Sequence, residues 1–170
     1  GVDTVLARNT LGWTENPLDV ARFQMRRFKA HVERQAHRDI VDEGVPKENI
    51  ARALLQAFLS SRSYREVPVR GGQVDILAFT KHGRFLYETK IWRGPAYYQQ
   101  GLRELEEYIT GEDKDQELIG IFYVVFDSSK SRRAHAYVGN SFATEVVCGR
   151  DVDVVVIDLC LPQPSKKPRC

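Results

Sequence analysis

Cysteine is scarce and irregular in this chain, with three among 170 residues. Cys148, Cys160 and Cys170 form no C-x-x-C pair and have no histidine at ligand spacing, which argues against a disulfide framework and against a zinc site. The expected setting is reducing and cytoplasmic. Long apolar runs are missing too. Ile121 to Phe126 and Val154 to Ile157 fall far short of the roughly 20 residues of a membrane-spanning helix, so no membrane partner is expected. Charge of one sign is not in excess, since 25 Lys and Arg against 23 Asp and Glu leave +2. That balance does not by itself imply a polyanion partner. Several motifs are also absent: G-x-x-x-x-G-K-[ST], G-x-G-x-x-G after a strand, H-E-x-x-H and G-x-S-x-G. Nucleotide hydrolysis, zinc proteolysis and serine hydrolysis lose their usual signatures with them. The opening Gly-Val-Asp-Thr has neither Met nor a signal-peptide pattern, and reads as an excised piece of a longer protein with further domains.

What remains is a folded chain of ordinary single-domain size, 42% hydrophobic and 28% charged, able to bury a core. From Pro17 to about Val41, Leu18, Ala21, Phe23, Met25, Phe28 and Val32 recur at mostly helical spacing, with Asn16 as cap. The polar side of this helix carries Arg22, Arg26, Arg27, Lys29, Arg34 and Arg38. Such a face is either a solvated surface or a phosphate-backbone contact. A second helix is expected to open at Pro46 and to run through Leu59. The period then changes to short strands, Tyr64 to Val69, Gln73 to Phe79 and Arg84 to Trp92. A helix from about Ala96 to Ile109 follows. Strands Leu118 to Phe126 and Val152 to Leu159 are so continuously apolar that both faces must be covered, as in the centre of an α/β sheet. Between them, Ser128 to Arg133 reads as a basic loop and Ala143 to Val147 as a short helix. The expected organisation is an N-terminal helical extension over 1–43, an α/β core over 44–161 and a disordered tail over 162–170.

Chemistry concentrates in one strand hairpin. Asp75 interrupts Val74 to Phe79, and Glu88 and Lys90 interrupt Phe85 to Trp92. Glu88 and Lys90, two residues apart on a strand, share a face. A turn centred between Lys81 and His82 sets Asp75 opposite Glu88, and one centred between His82 and Gly83 sets it opposite Lys90. A turn centred on His82 would oppose Asp75 to Thr89 and need a bulge at Gly83 to restore the cluster. Two close carboxylates repel unless a cation lies between them, and such oxygen sites suit Mg²⁺ or Mn²⁺. A neighbouring lysine could orient the attacking water, help deprotonate it or stabilise charge growing on a phosphate, and phosphodiester hydrolysis uses all of these parts. The plainer reading is a cross-strand salt bridge of Asp75 or Glu88 with Lys90, contributing roughly 0.2–1 kcal/mol.

At Val74-Asp75-Ile76-Leu77 and Glu88-Thr89-Lys90 the sequence resembles the PD-(D/E)XK nuclease superfamily, the restriction-endonuclease-like fold, with Val74 in place of the Pro. The order helix, three strands, helix, strand over about Val45 to Phe126 fits that family's core, a central mixed β-sheet flanked by helices. Glu104-Leu105-Glu106-Glu107-Tyr108 resembles the Q-L-x-x-Y motif of the RecB branch, with Glu for Gln, which would add Glu104 and Tyr108 to the catalytic set. The stretch Lys90 to Tyr98 is similar to bacterial, defence-associated members. The resemblance implies a metal-dependent deoxyribonuclease in which Asp75 and Glu88 hold Mg²⁺ or Mn²⁺ and Lys90 lies near the attacking water. It implies a further acidic residue from the preceding helix, best matched by Glu48, a position that the helix dipole alone also favours. DNA ranks ahead of RNA as substrate, with Arg93, Arg26, Lys29, Lys130 and Arg132 as candidate nucleic-acid contacts. Cutting both strands of a duplex uses two active sites, which admits a homodimer. Two other readings stay open: a catalytically inactive nucleic-acid-binding module of the same fold, and a protein-interaction domain of a larger assembly.

Overall fold

The structure, a computed structural model, describes residues 16–59, 64–65, 68–69, 72–73, 75–111 and 117–160. The tail over 162–170 and the first fifteen residues lie outside these. Helix α1, Pro17–His31, begins as expected: Pro17 takes the first helical position and the Asn16 side chain accepts from the Leu18 amide at 2.9 Å. It continues through a π-helical stretch, Val32–Ala36, into the short helix α2, His37–Ile40. Ala21, Met25, Phe28, Val32 and Ile40 are buried, whereas Phe23, read as part of the same stripe, points outward and is exposed.

Pro46 does not open the second helix. Strand β1, Val41–Asp42, and strand β2, Val45–Pro46, form a small hairpin whose turn, Glu43-Gly44, takes positive φ at both residues. Helix α3, Glu48–Leu59, starts just after it. Strand β3, Tyr64–Arg65, joins the main sheet, while β4, Pro68–Val69, pairs with β5, Gly72–Gln73, so the single strand expected here is split. Strand β6, Ile76–Thr80, pairs antiparallel with β7, Gly83–Ile91. Helix α4, Pro95–Gly111, leads to β8, Leu118–Asp127. Helix α5, Arg133–Val138, strand β9, Phe142–Val147, and strand β10, Arg150–Asp158, follow and are the last elements among the described residues.

The expected loop at Ser128 to Arg133 is a loop, and it is held by Asp127, whose carboxylate accepts from the Ser129 and Ala134 amides at 2.8 and 2.9 Å. The expected helix at Ala143 to Val147 is instead strand β9. Pairing with β10 overrides local helix preference there, as tertiary context commonly does for short segments.

The main sheet has six strands in the order β3-β6-β7-β8-β10-β9, with β7-β8-β10 parallel and the outer pairs antiparallel. Side-chain alternation divides the core between its faces. Ile76, Phe85, Tyr87, Phe122, Val124, Phe126 and Val155 pack against α1 and α3, and Leu77, Leu86, Ile121, Tyr123, Val125 and Val154 against α4 and α5. The protein is thus an α/β chain with a mixed sheet between helical layers. Among the described residues no helix is long and apolar enough to cross a membrane. Cys148 is free and exposed, whereas Cys160 is disulfide-bonded, so not all three cysteines are unpaired.

Helix α1 contributes to the same core as α3. Phe28 has no exposed surface and packs at ring-centroid distances of 5.3 Å from Phe58 on α3 and 6.3 Å from Phe126 on β8. Phe28→Ala would leave a cavity between helix and sheet, and its expected cost is about 3–5 kcal/mol. Urea unfolding followed by circular dichroism measures this; a loss below about 1 kcal/mol would mean that α1 is not integral to the core.

Candidate functional site

The two-residue turn Lys81-His82 fixes the register that matters. Thr80 faces Gly83 and Ile76 faces Tyr87, so Asp75, one residue before β6, falls opposite Glu88, the first of the expected arrangements. Gly83 is needed at this corner: its φ is +140°, and a Cβ there would come within 2.6 Å of the Glu117 carbonyl oxygen.

The structure opens a cleft of about 450 Å³ beside the hairpin, lined by Glu48 and Arg52 of α3, Asp75, Glu88 and Lys90, Arg93 and Glu104 of α4. Six residues singled out in the sequence therefore meet at one place. Glu88 and Lys90 are buried, 7% and 8% exposed, on the face of β7 that carries α4. Glu104 reaches down from α4 to place its carboxylate 2.9 Å from the Lys90 ammonium. The cross-strand salt bridge anticipated for Asp75 or Glu88 with Lys90 is replaced by this pair. Asp75 turns away towards α3: its Oδ1 accepts from Arg52 at 3.2 Å, and its Oδ2 accepts from the Thr89 amide at 2.7 Å and the Thr89 hydroxyl at 2.8 Å.

Glu48 ties the rim together. It opens α3 and accepts from the Ile91 amide at 3.2 Å and from the Tyr97 hydroxyl at 3.0 Å. The Tyr97 ring meets two cations, Lys90 Nζ at 4.9 Å and the Arg93 guanidinium at 5.1 Å from its centroid. Burial, followed by the Glu48 charge, raises the Tyr97 pKa, which keeps this hydroxyl a donor.

The electrostatics are uneven. Burial first, then the charges of Asp75 and Glu104, push the Glu88 carboxyl up to about 9 against the pull of Lys90. Glu88 therefore carries a proton at neutral pH, through which it hydrogen-bonds Glu104. For Lys90, burial favours the neutral amine, but the Glu104 hydrogen bond and the charges of Glu104 and Glu48 outweigh it and raise the pKa. Lys90 is an ammonium throughout the physiological range. Of the three roles considered for it, orienting water or stabilising developing charge suits that state, and accepting a proton does not.

Other expected residues lie elsewhere. Tyr108 is buried in the apolar cluster beneath α4 with Leu77, Leu86 and Leu105, away from the cleft lining. Lys29 is clamped inside the fold, bonded to Glu33, to the Val156 carbonyl at 2.7 Å and near Asp158. Arg26 stands over the Phe142 ring at 5.9 Å beside a separate cavity of about 140 Å³ between α1 and β9–β10. Arg132, at φ +53°, donates to Asp158 at 3.1 Å. Lys29 and Arg132 thus neutralise carboxylates of the fold itself. Lys130 is exposed on the loop before α5.

Arg52, Thr89 and Tyr97 belong to the site but were not picked out in the sequence. Arg52 follows Glu48 by four residues, which places the two on one helix face; that spacing would have found it. Thr89 had a signal only in its position between two site residues.

Among the described residues no group of three His, Cys, Asp or Glu side chains is arranged to hold a metal. Mg²⁺ needs less, since one or two carboxylates with several waters make its usual protein site. The donor set fits that description: Asp75 and Glu88 are hard oxygen donors lining one cleft.

No family model matches the chain, and no curated protein matches it significantly.

Proposed function

We propose that the chain is a metal-dependent nuclease domain of restriction-endonuclease-like fold that hydrolyses phosphodiester bonds, with DNA as substrate. The observation that carries this reading is the meeting of Asp75, Glu88 and the Lys90 ammonium in one cleft. Asp75 and Glu88 would hold Mg²⁺ or Mn²⁺. The bound ion would supply Lewis-acid polarisation of the phosphate and a more acidic water. Lys90, fixed between Glu104 and the Tyr97 ring, presents positive charge where negative charge grows on the phosphate. Arg93 at the rim meets the approaching backbone, and Glu48 orients Tyr97 and the end of β7. Thr89 and Arg52 hold the Asp75 carboxylate in position.

The test is incubation with supercoiled plasmid and with linear single-stranded DNA in Mg²⁺, Mn²⁺ or EDTA. Cutting is expected with either ion and is expected to vanish in EDTA; plasmid products separate nicking from exonuclease action. Absence of cutting with both ions would overturn the reading. The pairing of Asp75 with Arg52 and of Lys90 with Glu104 favours a second reading, a charge-satisfied cleft that binds nucleic acid without cutting it. DNA affinity that persists in EDTA, with no cleavage in either metal, would establish that alternative.

A further inference from the structure

Beyond the end of β7 the row of side chains that carries Glu88 and Lys90 continues to Trp92, about 6.6 Å further along the strand direction. Trp92 is half-buried and belongs to a three-ring group with Tyr98 of α4 and Tyr137 of α5. The Trp92 and Tyr137 rings lie 5.4 Å apart, and Tyr137 meets Tyr98 edge-on at the same distance. Gln99 donates to the Tyr137 hydroxyl at 3.0 Å, which fixes the outer ring from its polar end. Tyr137 is nevertheless 45% exposed. The charge around the rings is mixed: the Tyr98 hydroxyl donates to Glu145 at 3.1 Å, whereas Arg133, four residues before Tyr137 on α5, Arg93, next to Trp92 in the chain, and Lys130, on the loop before α5, are exposed.

An exposed aromatic ring, held by two neighbouring rings and Gln99 and with Arg133 one turn away on the same helix, suits a flat, π-faced ligand joined to phosphates more than an apolar protein surface. We propose that Trp92 and Tyr137 form a stacking subsite for one unpaired nucleobase of a single-stranded nucleic acid, beside the cleft. This deepens the nuclease reading and rests on it for the phosphate next to Lys90. A base still paired in a duplex offers no free face to the ring, so the subsite selects single strands or frayed ends. Arg93 and Lys130 would supply backbone attraction without reading sequence.

The experiment is a fluorescence titration in EDTA, where no metal supports cleavage, of the Trp13→Phe protein with an oligo-dT strand and with an oligo-dT·oligo-dA duplex of equal length. Trp13 lies outside the described residues, and its replacement leaves Trp92 as the sole tryptophan. Quenching by the single strand is expected, with weaker binding of the duplex. Tyr137→Leu should weaken single-strand binding roughly tenfold or more, and Tyr137→Phe, which keeps the ring, should retain it. Equal affinity for both forms, no quenching, or unchanged binding by Tyr137→Leu would overturn the subsite. Single-strand selectivity lost in Tyr137→Leu, in a protein that cuts nothing with Mg²⁺ or Mn²⁺, would sink the nuclease reading while sustaining the subsite. Cleavage with no Tyr137 effect would do the reverse.

Discussion

Lys90→Ala is expected to lower phosphodiester cleavage by roughly 10²–10³-fold, the effect typical of removing one preorganised charge or donor from a reaction centre. The ammonium is held on two sides, by Glu104 at 2.9 Å and by the Tyr97 ring at 4.9 Å, so its position requires no rearrangement as charge develops. The loss should appear in kcat more than in KM, because Arg93 and the exposed cations near the cleft still attract the backbone. Lys90→Arg keeps the charge but replaces a compact ammonium by a planar fork, and should recover only part of the rate. Single-turnover cleavage in Mg²⁺, beside thermal unfolding as a folding control, makes the measurement. Full activity in a folded Lys90→Ala protein would remove Lys90 from the reaction.

Glu88→Gln is expected to act in opposite directions on stability and on metal binding. The folded carboxyl titrates near 9, well above the ordinary range of an unfolded glutamate. A group raised in this way contributes stability that is complete below the unfolded pKa and is lost as pH rises towards the folded one. The metal-free wild type should therefore weaken steadily between about pH 5 and pH 9. Glutamine is neutral throughout, so Glu88→Gln should flatten this dependence and exceed wild type by about 2–4 kcal/mol at pH 8. Urea unfolding in EDTA at several pH values reads the difference. Adding Mg²⁺ should narrow it, because cation binding displaces the Glu88 proton and stabilises only the carboxylate form. Parallel pH profiles for the two proteins would contradict the burial argument.

Much of this site is legible in the sequence because strand chemistry is simple. A period of two placed Glu88 and Lys90 together, but the two-residue turn that sets Asp75 opposite Glu88 was one of three registers the sequence allowed. The direction of the Asp75 carboxylate was not legible, since Arg52 arrives from a different element and Thr89 bonds through both its amide and its hydroxyl. The basic helix misled at two positions for a similar reason, while Arg26, Arg27, Arg34 and Arg38 are exposed as a solvated face should be. Lys29 and Arg22 look solvated in sequence, but Glu33, Asp153 and Asp158 meet them inside the fold, two of these from a strand more than 120 residues away. Phe142 to Val147 shows the limit of local preference: Ala143, Thr144 and Glu145 suit a helix well enough until β10 offers them a ladder.

Strand β7 lies between β6 and β8 with nearly every side chain buried. Amides in such a strand are expected to exchange with solvent only through global unfolding, while α5 and the loop before it open more readily. The cleft would then have a slow floor beside a faster neighbouring element. Glu88 and Lys90 would stay fixed as long as the domain is folded, whereas the α5 backbone would exchange sooner while its Tyr137 ring stays packed on Trp92 and Tyr98. Hydrogen exchange would show this as a sharp step in protection between Lys90 and Tyr137.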